Sequence, residues 1–365
     1  MVLDALDECD DFDDIRLLLH LLGDTQNLAG FGLRVLVTSR PEIPIRLGFN
    51  NMKHIAYFAL ALHDVPRAIV DQDIKRFVTH ELFQIKIERS LLSSWPGEDK
   101  IQIITSRADG LFIYAATVCR YVNGPWQVSA SARLEQVCQE NFTKHKSTDS
   151  LDAMYLMVLV SSMSDDFSDQ EAQEATIRLR QVVGSVILLL DNLSATELVT
   201  LLFPSVVAGG KLVQDTLASL HAIFDVPEDL SKPIQMLHLS FRDFLMDSAR
   251  CPDVRFQIDQ QRVHHDLFNR CFDLMDRSLQ KTICQLSGEG CFVDEVSEAA
   301  LIQHLRYGLR YACRHWISHA RHGRVTLSDN GIVHEFLRQK FLHWLEVISL
   351  IRKGYQLGRI SMFRQ

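Results

Sequence analysis

The chain has 365 residues, 47 % of them apolar and 23 % charged, with a formal net charge of −8. That composition belongs to a soluble globular protein with room for two or three domains, and its acidic balance argues against a nucleic-acid-binding surface, which needs a basic patch. No run approaches the ~18–20 apolar residues of a bilayer span, and the acidic N-terminus lacks the basic head of a signal peptide.

The first nine residues, MVLDALDEC, set three apolar residues directly before Asp4, Asp7 and Glu8. A short apolar strand ending in carboxylates is how a phosphate-hydrolysing α/β domain presents acids to Mg²⁺ and water. Acidic residues at 10–14 then suit a helix N-terminus. Ile15, Leu17, Leu18, Leu19, Leu21 and Leu22 make an apolar helix that stops near Gly23. Gly30 and Gly32 mark a turn. The near-continuous apolar run LRVLVT at 33–38 has the length and character of a buried parallel strand, ended by Ser39-Arg40-Pro41. Strand, helix and strand predict a βαβ unit with a parallel sheet.

Open α/β sheets bind ligands beyond the carboxyl ends of their strands, where these residues fall. Asp4 is placed to hold Mg²⁺, Asp7 or Glu8 to orient or activate an attacking water, and Arg40 to reach a terminal phosphate. The plain alternative is an acidic helix cap and a surface arginine. A third strand is expected around 54–62 (HIAYFALAL). At ~3.3 Å per residue the first strand is only about 10 Å long, which predicts an exposed apolar sheet edge and a frayed N-terminal region.

Beyond residue 70 the pattern is helix after helix. Helices are predicted over 71–83, 100–108, 111–122, 130–140, 150–163, 171–190, 194–203 and 211–221, with breaks at Asp109-Gly110 and Gly124-Pro125. The segment QMLHLSFRDFL at 235–245 reads as a short strand turning into a helix whose apolar positions are Phe241, Phe244 and Leu245. Helices follow over 260–279, 299–321 and 329–350, and no fixed-period repeat marks a solenoid.

Eight cysteines are scattered without a CxxC pair, which reads as buried free thiols of a reducing, cytoplasmic environment. Cys313, His315, His319 and His322 invite a metal reading, but they do not all share a face and no second segment supplies a fourth ligand. A structural helix with Trp316 packed inward is the expectation. His264 and His265 are adjacent, cannot chelate from one helix face, and are expected to begin a helix. No GxSxG or Cys–His signature of a nucleophilic hydrolase occurs.

Six stretches in order resemble the fungal members of the NACHT class of signal-transducing P-loop NTPases, relatives of the NLR immune receptors. VLDALDEC at 2–9 looks like their Walker B strand and RVLVTSRP at 34–41 like their sensor 1 strand. GLFIYAA at 110–116 matches the small-helical-domain motif, and LHLSFRDFL at 237–245 the winged-helix signature. YACRHW at 311–316 and FLHWLE at 341–346 look like the helical region that follows.

The resemblance implies a mainly α chain with an incomplete N-terminal α/β portion of the P-loop NTPase type, a parallel sheet. Residues 1–62 would be the end of the nucleotide-binding domain, 63–150 a small helical domain, 151–250 a winged helix and 251–365 a helical domain. Asp4 would be the Mg²⁺ carboxylate, Asp7 and Glu8 the catalytic acids, and Arg40 the γ-phosphate sensor. His238 would contact the β-phosphate of bound ADP and so couple domain closure to nucleotide state.

The family's phosphate loop, GxxxxGK[ST], does not occur in the sequence. Its nearest imitation, GGKL at 209–212, lacks the first glycine and the Mg²⁺-binding hydroxyl. Phe112 stands where many relatives place an adenine-side proline. Mg²⁺ and ATP or ADP are therefore cofactors of the intact family and not expected for this chain. The expectation is a fragment, a shortened gene product or a decayed paralogue of a self/non-self-recognition or cell-death switch. Its partners would be proteins, either a second copy or a full-length relative, without nucleic acid or a membrane span. Relatives commonly carry WD40 or ankyrin repeats, and the alternative is a non-catalytic interaction module.

Overall fold

The computed structural model describes residues 1–365 except 10–11, 24–31, 33, 53–56, 126–127, 140–146, 164–166, 205–208, 282, 285–295, 297 and 363–365. The chain is mainly helical and divides into two compact units, Met1–Ile69 and Val70–Gln365.

The first unit contains β1 (Val2–Leu3), α1 (Phe12–Gly23), β2 (Leu36–Val37) and α2 (Ile43–Asn50). β1 and β2 are parallel, Val2 opposite Leu36 and Leu3 opposite Val37, as the βαβ reading expects. Their ladder runs through Leu36 N–H to Met1 O (3.0 Å) and Thr38 N–H to Leu3 O (2.9 Å). Asp13 and Asp14 sit in the first turn of α1, where a helix favours negative charge. Ile15 and Leu19 of α1 are buried against Ile45 of α2, with Leu6, Phe49 and Met52 around them. A Cβ at Gly48 would lie 2.4 Å from Leu19 Cδ1, so α1 and α2 approach this closely only over a glycine.

Two strand expectations are corrected. Among the described residues of the run 33–38 only Leu36–Val37 pair as strand, opposite the two residues of β1. Among the described residues of 54–62 there is no strand. Residues 57–61 have no regular structure and Leu62–Asp64 form a 3₁₀ turn. Alternation there puts Phe58, Leu60 and Leu62 on one face, yet they are 90, 69 and 77 % exposed. A strand forms only where a neighbour completes its ladder and covers its apolar face. Val2 and Leu36, opposite one another in the pair, are both exposed.

The second unit begins within α3 (Arg67–Glu88) and continues through α4 (Glu98–Ala108), α5 (Phe112–Val122), α6 (Ala130–Gln139), α7 (Ser147–Ser161), α8 (Asp169–Leu188), α9 (Ala195–Leu202) and α10 (Gly209–Ala218). A two-residue antiparallel pair, β3 (Phe224–Asp225) with β4 (Gln235–Met236), precedes α11 (Ser240–Met246). Then come α12 (Gln260–Ser278), α13 (Glu298–His304), α14 (Tyr307–His322) and α15 (Ile332–Met362). One continuous core links these elements.

Local chemistry fixes several ends. Ser168 and Glu171 form a capping box at α8, Ser194 caps α9 and Asp259 caps α12, each accepting a backbone N–H three residues on. Asp109 and Gly110, both at positive φ, end α4 as expected. The Arg89 guanidinium bonds the Asn123 and Gly124 carbonyls beyond α5. The helix expected over 299–321 is in fact two. Arg310 reaches back to the carbonyls of Leu305 (2.7 Å) and Leu301 (2.9 Å), satisfying the end of α13 so that α14 starts afresh at Tyr307.

Phe241, Phe244 and Leu245 are all fully buried on α11. α12 packs along α14, and the backbone passes close to α12 at Gly323, just after α14 ends. A Cβ there would lie 2.7 Å from the backbone nitrogen of His265.

Candidate functional site

The carboxyl ends of β1 and β2 bring Asp4, Asp7 and Arg40 together around Thr38. Thr38 makes four bonds. Its N–H goes to Leu3 O and its carbonyl accepts Leu6 N–H at 3.0 Å. Its hydroxyl oxygen accepts Ala5 N–H at 2.9 Å, so the hydroxyl proton is donated to Asp4 Oδ1. Ala5 stands in the left-handed region (φ 50°, ψ 52°), which turns the chain sharply after Asp4. That turn lets residues 5 and 6 both reach Thr38. Asp4 itself is exposed.

Asp7 has a different setting. Its side chain is only 8 % exposed. Oδ1 accepts Arg40 N–H at 3.0 Å and the Ser39 hydroxyl at 3.3 Å, and Oδ2 lies 3.5 Å from Arg40 Nε. Asp7 therefore braces the 39–40 turn against the 3₁₀ turn Leu6–Glu8, whereas Asp4 faces outward. Glu8 lies in that same turn, and its side chain is outside the described residues. Replacing Thr38 by Val keeps the shape but strands the Ala5 N–H and the Asp4 carboxylate. An expected loss of about 1–2 kcal/mol from local stability follows, read as faster exchange of the Ala5 and Leu6 amides.

His238 belongs to the second unit. It is half-buried, between β4 and α11. Its Nδ1 accepts Ser240 N–H (3.1 Å) and lies 2.6 Å from Ser240 Oγ, which in turn contacts Tyr155 OH at 2.8 Å. With Nδ1 used as an acceptor, the neutral ring carries its proton on Nε2.

GGKL at 209–212 starts α10, and the side chains of 209–211 are outside the described residues. Among the described residues no three His, Cys, Asp or Glu side chains converge as a metal site.

The histidines of α14 do not form a metal cluster. Trp316 is buried as expected. The sequence reading missed the partner of His319, which is His264, 55 residues away. Their Nδ1 atoms are 2.9 Å apart, and His319 Nε2 is 2.7 Å from Tyr311 OH. Tyr311 oxygen accepts Leu190 N–H (3.3 Å), so its proton points to His319 Nε2; His319 then donates from Nδ1 to His264. Both imidazoles are held neutral. Burial first, then neighbouring histidines, lowers His319 to about 3; burial and His322 lower His264 to about 4. His315 instead pairs with Asp191 at 2.8 Å, beside Arg314. A helical wheel holds the signal for this pair: His264 is three residues before Leu267 and His319 three after Trp316, both on apolar faces.

Of the described cysteines, 119, 251, 271, 284 and 313 are buried free thiols, and burial pushes Cys119 and Cys313 up to about 12. Cys9 is exposed, unlike the expectation for the set.

Over 377 residues the chain is 23 % identical to the vegetative incompatibility protein HET-E-1 of Podospora anserina, covering 96 % of this chain and 25 % of that protein. The chain thus spans about a quarter of the curated relative it matches. No protein-family profile and no solved structure matches it. The relation to an incompatibility protein is distant, and it runs along nearly all of this chain.

Proposed function

We propose that the chain is the switch portion of a NACHT-type signalling protein of the vegetative-incompatibility kind, acting by protein contacts and not by its own NTP turnover. The observation that carries this is the division of labour at the strand ends. Asp4 presents an exposed carboxylate, oriented by the Thr38 hydroxyl, where a Mg²⁺ ligand would stand. Asp7, by contrast, is used up in holding Ser39 and Arg40. The likeness to an incompatibility protein supports the signalling reading.

Mg²⁺ binds through one or two carboxylates plus substrate phosphates. Asp4 fits the first half of that description. The second half needs a phosphate cradle, and no GxxxxGK[ST] is present in the 365 residues. The residues described do not make a Mg²⁺·nucleotide site by themselves. In this reading Asp7 is a positioning residue that holds Arg40 at the strand end.

Titration of the purified chain with Mg·ATP and Mg·ADP by calorimetry tests this. Binding weaker than about 1 mM is expected, roughly −4 kcal/mol or less. Micromolar affinity would overturn the non-catalytic reading and favour a self-sufficient nucleotide switch.

A further inference from the structure

Between α8 and α12 lies a groove of about 420 Å³, the scale of a small-molecule site, and it is separate from the strand-end residues considered above. Its floor is apolar, built from Leu202, Ile258 and Leu267, all buried. Gly184 brings α8 close here: a Cβ on it would meet Val263 at 3.2 Å and Ile258 at 3.3 Å.

The charged lining is balanced overall, with Arg180, Arg262 and Arg270 against Asp259, Asp266 and Asp273. Exposure differs among them. All three aspartates are exposed on the rim, as is Arg262, whereas Arg180 and Arg270 are half-buried, together with the carboxamides of Gln181 and Asn269. None of the three arginines has an ion-pair partner within 4 Å among the described residues. At the base, Ser185 is 96 % buried, being 4 % exposed, lines the groove, and makes no side-chain hydrogen bond among the described residues.

A buried hydroxyl, two half-buried arginines and two half-buried amides over an apolar floor form a set of donors, and each aspartate of the lining is exposed. Guanidiniums recognise carboxylate and phosphate through paired N–H groups. We propose that this groove binds a small organic oxyanion, a carboxylate or phosphate carried on an apolar body. Arg180 and Arg270 hold the charge, Ser185 donates a hydrogen bond, and the Leu202–Ile258–Leu267 floor takes the apolar part. The exposed aspartates on the rim turn away extended polyanions.

The test uses the full chain with phenyl phosphate and benzoate as probes, followed by calorimetry and by methyl NMR of Ile258 and Val263. Saturable binding of either probe with shifts at these methyls is expected, and the preferred probe tells phosphate from carboxylate. Arg180→Gln with Arg270→Gln should weaken it about tenfold or more. Asp276→Asn, exposed on α12 and outside the groove lining, should leave it within about threefold. No saturable binding of either probe by the wild-type chain, or shifts confined to methyls elsewhere, overturns the proposal. So does binding to the double variant within about twofold of wild type. The methyl shifts are read on the wild-type chain and so do not depend on the variants folding.

Discussion

Replacing Phe241 by Ala is expected to cost about 3–5 kcal/mol of folding stability, the range for removing a fully enclosed phenyl ring. Its ring is completely buried and lies edge-on to Tyr155 at 5.1 Å and to Phe224 at 5.8 Å, with Phe244 stacked at 6.3 Å. Those contacts join α11 to α7 and to the β3–β4 pair, so the cavity would open where three elements meet and collapse poorly. The measurement is a urea titration followed by tryptophan fluorescence. All four tryptophans, at 95, 126, 316 and 344, fall in the second unit, so the signal reports that unit alone. Leu92→Ala, at a side chain 79 % exposed in the same unit, serves as the contrast and should change stability by less than about 0.5 kcal/mol. A loss below about 1 kcal/mol for Phe241→Ala would mean that the aromatic cluster is not the keystone of this region.

Acid should destabilise the second unit well before its carboxylates titrate. His264 and His319 titrate near 4 and near 3 in the folded chain against an ordinary value near 6.5. Below pH 6.5 the unfolded chain therefore binds more protons than the folded one. Stability is full above about pH 7.5 and falls as pH drops through 6.5, levelling only near the folded values. From pH 7.5 to 5.5 each histidine contributes a loss of about 1.4 kcal/mol, close to 3 kcal/mol for both. The groups facing the pair are Tyr311, His322 stacked on His264, and His315, which Asp191 holds from the other side. Parallel denaturant titrations at the two pH values give the wild-type drop. His319→Phe lowers stability at pH 7.5 by stranding Tyr311 and His264, and it should reduce the pH-dependent part. An unchanged pH-dependent drop in that variant would show that the sensitivity arises elsewhere.

The helices were legible because they bury one face each, and an apolar stripe recurring every three or four residues is written directly in the chain. α12 shows it, since Leu267, Phe268, Cys271, Phe272, Leu274 and Met275 are buried and the expected span, 260–279, misses the observed end by one residue. Strand content was less legible. An apolar run states that a strand is possible, while pairing needs a neighbour; among the described residues of 33–38 two pair as strand, and 57–61 form none. The split at residues 305–306 was hidden because Arg310 looks like an ordinary exposed helix residue until its guanidinium is seen on the carbonyls of the preceding turn.

At the strand ends, the pair of apolar runs announced the parallel pairing that sets Asp7 beside Arg40. It did not separate an outward carboxylate from one committed to Ser39 and Arg40, because that depends on the left-handed turn at Ala5. The groove between α8 and α12 had no linear signature at all. Its lining comes from two helices and the segments around them, and what distinguishes Arg180 and Arg270 from the aspartates is exposure.

The α12–α14 crossing also constrains descent. Gly323 has φ −75°, which any residue adopts, so its identity is demanded by the His265 backbone beside it and not by conformation. A homologue that retains this crossing must retain a glycine at that point, even where the side chains around it have been replaced. At 23 % identity, residue-by-residue similarity is a poor guide to shared architecture, and an unsubstitutable position of this kind is a sharper one. It offers a fixed reference for deciding which distant sequences share this helical core.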